Sequence, residues 1–173
     1  IEPASALQEI VRRYLWAYGP ATADDFAFWW GCTKTSARTL FQAMADELAA
    51  VELEGWRAFV LRATLPLIQS AEPVEQVHLL PLFDAYTIGA APRGREPLLA
   101  PAYKRQVFNL QGWTFAVVLL NGTIQGIWHT QLRSTHLAIK VTLFTSSTAA
   151  LQKGIEAEAE RLGHFFQKAI LLE

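Results

Sequence analysis

Apolar residues recur at helical spacing near the start of the chain. Leu7, Ile10, Val11, Tyr14 and Leu15 fall on one stripe of residues 6–17. Gly19-Pro20 stops that helix, because a residue before proline avoids the α region. In "ATADDFAFWW", Thr22 and Asp25 stand three apart, a capping box with Asp in place of Glu. Phe26, Trp29 and Trp30 supply the apolar face of this second helix, and Gly31 ends it. The stretch "TKTSARTLFQAMADELAAV", residues 33–51, predicts a third helix capped by Thr33 or Thr35. Its buried stripe would be Ala37, Leu40, Phe41, Met44 and Leu48. Val51 and Leu53 before Glu54-Gly55, with Trp56, Phe59 and Leu61 after it, predict a hairpin. Three helices and a hairpin are the order of a winged helix-turn-helix, expected over residues 1–68.

The pattern changes after the polar stretch "QSAEPVEQ", residues 69–76, which is expected to be a connection. "VHLLPLFDAYTIG" is apolar and broken by Pro81. Residues 90–106, "AAPRGREPLLAPAYKRQ", are rich in proline and basic residues and are expected to form a long surface loop. Asn121-Gly122 between two apolar runs is a strong hairpin signal. "HLAIKVTLF" predicts a further strand. Residues 147–170 predict a helix with Leu151, Ile155, Ala159, Leu162 and Phe166 on one stripe. The whole chain is therefore expected to be α+β, with a second domain over 74–173 made of antiparallel strands and a C-terminal helix.

Composition fits a globular protein with a real core, at 51% hydrophobic and 18% charged residues. The formal net charge of −1 excludes a strong overall pull toward nucleic acid or an anionic membrane. No apolar run reaches the roughly 20 residues needed to span a bilayer, so no membrane contact is expected. Cys32 is the one cysteine, which points to a reducing, cytoplasmic setting. The chain opens "IEPASAL" without an initiator Met, and we read it as a piece of a longer protein.

Charge is unevenly distributed. Residues 1–62 hold six basic and eight acidic side chains, a net of −2, and the hairpin tip carries Glu52 and Glu54. In a helix-turn-helix, Lys34, Thr35 and Arg38 would sit at the start of the recognition helix, where side chains reach bases and phosphates. The alternative is an ordinary solvated helix end. Residues 93–140 hold Arg93, Arg95, Lys104, Arg105, Arg133 and Lys140 against Glu96 alone, a net of +5. Those positions are the better candidates for phosphate contact, if they converge. Trp29, Trp30, Trp56, Trp113 and Trp128 read as core rather than as base-stacking platforms.

His129, Arg133 and His136 lack the nearby carboxylates or cysteines of a metal site. Asp84 in "LFDAY" lies within an apolar run, which calls for a hydrogen-bonded anchor or a catalytic role. No phosphate loop, dinucleotide fingerprint or nucleophile elbow occurs, so no cofactor, metal or catalytic residue is assigned.

The phrases "YLWAYGPATADDFAFWWG", "VHLLPLFDAYTIG" and "GWTFAVVLLNGTIQGIW" together carry a resemblance over nearly the whole chain. The chain resembles the bacterial winged-helix DNA-binding family that includes alkylpurine and crosslink-unhooking DNA glycosylases. The resemblance implies the last of several winged helices followed by a β-barrel-like C-terminal domain, with duplex DNA as partner. Catalytic members of that family use a glutamine–hydrophobic–glutamine element in their N-terminal portion. No two glutamines here stand two apart, so the chain alone is not expected to catalyse. Two readings remain. One is a DNA-binding portion of a repair protein; the other is a structural or protein-interaction module that has lost DNA binding.

Overall fold

The computed structural model describes residues 2–53, 55–72, 75–89, 98–108 and 114–173. They belong to two compact units, residues 1–72 and 73–173.

Unit 1 opens with helices α1 (Pro3–Tyr18), α2 (Ala23–Trp30) and α3 (Lys34–Ala43). Local chemistry sets their ends. The Thr22 hydroxyl oxygen accepts from the Asp25 N–H at 3.2 Å, and the Asp25 carboxylate accepts from the Thr22 N–H at 2.8 Å. This reciprocal cap satisfies two N–H groups that a helix start leaves open. Gly31 closes α2 in the left-handed region, φ 76°. Of the two candidate caps for α3, Thr33 is the one used, accepting from the Ser36 N–H.

The helix expected over residues 33–51 ends early. After a turn at residues 44–47 the chain becomes strand β1 (Leu48–Leu53), paired antiparallel with β2 (Trp56–Leu61). Leu48 is buried, as the helical stripe required, but it is buried opposite Leu61 in a ladder. Cross-strand pairing outweighs the helix preference of "ADELAA". Val11, Tyr14 and Leu15 of α1, Phe26 of α2, Phe41 of α3, and Met44 and Leu48 form the core. Ala21 and Phe59 exchange two backbone hydrogen bonds, tying the α1–α2 turn to β2. A short helical segment then follows, ending in α4 (Leu65–Gln69), which the sequence reading missed.

The aromatic residues of α2 correct a second expectation. Trp29 and Trp30 are 39% and 43% exposed. Each lays part of its indole on the core: Trp29 contacts Tyr14, with ring centroids 5.0 Å apart, and Trp30 stacks on Phe26. Trp56 is half-buried. Trp113 lies outside the described residues.

Unit 2 is a five-stranded sheet in the order β3 (Val77–Leu80), β4 (Val117–Leu120), β5 (Thr123–Leu132), β6 (His136–Leu143), β7 (Ala169–Leu172). The first four strands are antiparallel, but β7 runs parallel to β6, so the sheet is not wholly antiparallel as expected. The cause is helix α7 (Ala149–Phe166), which returns the chain to the starting end of β6 before β7 begins. Asn121 and Gly122, both at positive φ (51° and 80°), make the tight β4–β5 turn.

The sheet curls into a half-barrel beside helix α7. A bulge between Val118 and Leu119 shifts the β4–β5 register. Nearby, Gly126 lets β5 approach β6 closely. A Cβ there would stand 2.4 Å from the Thr142 carbonyl oxygen.

One face of the sheet packs on α7, with Leu151, Ile155 and Ala159 against Val118, Trp128, Leu137 and Ile139. Trp128 is buried as expected, and its Nε1–H donates to the Leu80 carbonyl at 2.8 Å. Phe166, expected on the buried stripe, is 42% exposed because α7 ends there at a left-handed Gln167. The other face is covered at β4 by Leu98 and Val107. The loop expected over 90–106 is therefore in part helical: a 3₁₀ turn (Pro101–Tyr103) leads into α6 (Lys104–Val107). Residues 90–97 of that loop lie outside the described residues.

Candidate nucleic-acid interface

Lys34, Thr35 and Arg38 occupy the first half of α3, exposed to solvent. The two cations already hold an anion. Lys34 Nζ lies 2.9 Å from Asp24 Oδ2, and the Arg38 guanidinium donates from Nε and Nη2 to the two Asp24 oxygens at 3.1 Å. The Lys34 ammonium and then the Arg38 guanidinium hold the Asp24 carboxyl below its ordinary value.

The other basic residues of unit 1 are engaged as well. Arg12 pairs with Glu47 and Glu9, and Arg13 with Glu9. Arg57 lies over the Phe59 ring at 5.9 Å, and Arg62 donates to the carbonyls of Asp46 and Leu48.

Unit 2 is arranged differently. Along β6, Leu137, Ile139, Val141 and Leu143 pack toward α7. Strand alternation therefore turns His136, Ala138, Lys140 and Thr142 to the opposite face. Across the ladder His129 is opposite Lys140 and Gln131 opposite Ala138. Helix α6 covers part of that same opposite face, since Val107 packs with Val117, Leu119 and Ile124. Tyr103, just before α6, stacks on Phe144 with centroids 4.5 Å apart.

Lys104 and Arg105 of α6, with His129 and Lys140 of the sheet, thus lie on one side of the strands. Lys104, Arg105, His129 and Lys140 are exposed. From residue 97 to residue 155 the sequence has no Asp or Glu. Among the described residues, Lys104, Arg105 and Lys140 have no ion-pair partner. Arg133, near the β5–β6 turn, donates to the Gln131 side chain. Arg93 and Arg95 lie outside the described residues.

The sequence counted Lys140 in a basic stretch but left its face unread. The signal was present: apolar residues at 137, 139, 141 and 143 put residue 140 on the other side. Asp24 had no such signal, because its partners are 10 and 14 residues away.

Asp84 acts as an anchor in the structure. Its Oδ1 accepts from the Tyr86 N–H at 2.8 Å at the start of α5 (Ala85–Gly89). The Tyr86 hydroxyl donates to the Gly122 carbonyl at 2.9 Å, fastening α5 to the β4–β5 turn, and burial pushes the phenol's pKa up. Among the described residues no group of three His, Cys, Asp or Glu side chains could hold a metal ion. No helix among them is long and apolar enough to cross a membrane.

A family model described as DNA glycosylase AlkZ-like matches residues 2–165. An interstrand DNA cross-link repair glycosylase of Streptomyces sahachiroi is 34% identical over 161 residues, 91% of this chain and 42% of that protein. The solved structure of the Streptomyces sahachiroi DNA glycosylase AlkZ aligns with all of this chain at a TM-score of 0.83 and 29% identity, over 47% of its own length. The chain spans less than half the length of these relatives.

Proposed function

Since the chain belongs to the AlkZ-like DNA glycosylase family, we propose that it forms a duplex-DNA-binding part of a repair protein, holding DNA chiefly through phosphate contacts. The observation that carries this reading is a set of exposed cations without an ion-pair partner among the described residues on one face of unit 2. Lys104, Arg105 and Lys140 share one side of the sheet, and no carboxylate lies in the sequence from 97 to 155. Phosphate neutralisation supplies most sequence-independent affinity for DNA. Arg93 and Arg95 precede α6 in the chain and extend the basic stretch in the sequence.

In this reading unit 1 is a winged helix whose α3 offers Lys34, Thr35 and Arg38 as a secondary contact. Its three helices, its hairpin and the Ala21–Phe59 bridge support that assignment. The reading gives this chain no catalytic residue and no cofactor. Base release from damaged DNA would then require residues beyond these.

The engaged cations of unit 1 favour a second reading, an interaction module that no longer binds DNA. Fluorescence anisotropy with a labelled duplex over a salt series separates the two. Four contacts imply a slope of log affinity against log salt near −3.6, with dissociation constants of roughly 10⁻⁴ to 10⁻⁶ M at physiological salt. Reversing Arg93, Arg95, Lys104 and Arg105 to Glu should abolish binding, whereas changing Lys34 and Arg38 should cost less. Binding that is absent at low salt, or untouched by the fourfold reversal, would leave the interaction module as the better account.

A further inference from the structure

Asp24 sits on both cations at the start of α3, Lys34 and Arg38. Arg38 presents two parallel N–H groups to the two carboxylate oxygens, each at 3.1 Å, and Lys34 adds a third contact at 2.9 Å. A guanidinium fork fits a carboxylate and a phosphate by the same geometry. The position of Asp24 comes from elsewhere. It lies in the first turn of α2, two residues after the Thr22 cap and beside the cap's partner Asp25. The helix start therefore delivers a fixed anion to cations that belong to α3.

The arrangement is also open to exchange. The Lys34 and Arg38 side chains are 69% and 61% exposed, and that of Asp24 is 33% exposed. Exposed pairs of this kind are weak enough for another anion to compete.

We propose that Asp24 is a built-in competitor for nucleic-acid phosphate at Lys34 and Arg38, holding α3 to a minor share of DNA affinity while its carboxylate is in place. The proposal rests on the reading that the chain binds duplex DNA.

The test uses the full 173-residue chain and a labelled DNA duplex in a salt series. Asp24→Asn should bind roughly three- to tenfold more tightly at low salt, with a slope steeper by about 1.8, the value for two added phosphate contacts. Adding Lys34→Ala and Arg38→Ala to Asp24→Asn should remove the gain. Glu160→Gln on α7 removes the same charge far from this cluster in sequence, and it should leave affinity and slope close to wild type. A second measurement does not depend on the folding of an Asp24 variant. In the wild-type background, Lys34→Ala with Arg38→Ala should leave the slope nearly unchanged.

Wild-type affinity and slope in Asp24→Asn would overturn the competitor and leave DNA binding standing. An equal gain in Glu160→Gln would do the same, by showing that only net charge matters. A large loss of slope in the Lys34 and Arg38 double variant would mean that the pair is already engaged with DNA, and would also overturn it. Failure of wild type and Asp24→Asn alike to bind at low salt would instead defeat the DNA-binding reading itself.

Discussion

Unit 1 and the outer sheet face of unit 2 use their basic residues in opposite ways. In unit 1 every Lys and Arg side chain meets a partner of its own unit: a carboxylate for Arg12, Arg13, Lys34 and Arg38, a ring for Arg57, and backbone carbonyls for Arg62. In unit 2 the cations of one sheet face have no ion-pair partner among the described residues. A count of charges does not capture this. A polyanion must displace an existing partner in unit 1, whereas on the sheet face it displaces only water and counterions. What decides availability is which residues a fold places beside each cation, and the two units make that placement by different devices. Unit 1 does it with a helix cap, and unit 2 with strand alternation on a curled sheet.

The largest expected break in this contrast comes from the curl. Gly126 sits close against β6, and a Cβ would meet backbone atoms, the Thr142 carbonyl oxygen at 2.4 Å and the Leu143 Cα at 2.9 Å. Backbone cannot yield as a flexible side-chain end can. Gly126→Ala should therefore destabilise unit 2 by about 1–3 kcal/mol, the usual cost of forcing an added methyl into packed structure. Urea denaturation followed through hydrogen exchange of the β5 and β6 amides would measure it. The sheet face that joins His129 to Lys140 should loosen with it, and DNA affinity should fall. An unchanged midpoint would mean that strand proximity at Gly126 is not what builds that face.

These devices differ in how far the sequence revealed them. Caps and two-residue turns are written in adjacent residues, which is why Thr22 with Asp25, Gly31 and Asn121-Gly122 all read correctly. Elements fixed by distant pairing did not read correctly. Leu48 fits a helical stripe and a strand equally well until β2 is there to pair with it. Strand β7 is short and becomes a strand only because α7 returns it beside β6. The same limit applies to the site. Lys104 and Lys140 are 36 positions apart, and only the packing of α6 on the outer face of the sheet brings them to one side. Asp24 was counted as one acidic residue among several, with no local mark of the cations it would hold.

A smaller effect should follow from the cap. The Thr22 hydroxyl both accepts from the Asp25 N–H and donates to its carboxylate at 2.6 Å. Thr22→Ala removes both bonds and should cost about 1 kcal/mol of unit 1 stability. Asp24 lies in the same helical turn, so fraying there also loosens its hold on Lys34 and Arg38. Thermal unfolding should show the stability loss, and the salt slope for DNA should steepen slightly rather than flatten. A flatter slope would uncouple the cap from the cations of α3.

The smallest expected effect is the most direct probe of the paired charges. Glu9 is held below its ordinary pKa by Arg13 and then Arg12, Asp24 by Lys34 and then Arg38, and Glu47 by Arg12. For each, the folded value lies below the unfolded one. Their stabilisation is therefore fully present above the ordinary carboxylate range, about pH 4, and is lost as pH falls through the folded values. All three are solvent-exposed pairs, so the loss should be modest and partly mimicked by salt at neutral pH. Hydrogen-exchange protection factors over α1, α2 and α3 should decline as pH is lowered from about 5 to about 3. The pairs release their cations in the same window, which makes unit 1 more basic there. Protection that stays flat across this window would mean the pairs do not hold these side chains in place. The cations of unit 1 would then be as available as those of the sheet face, and the contrast between the two units would have to rest on position alone.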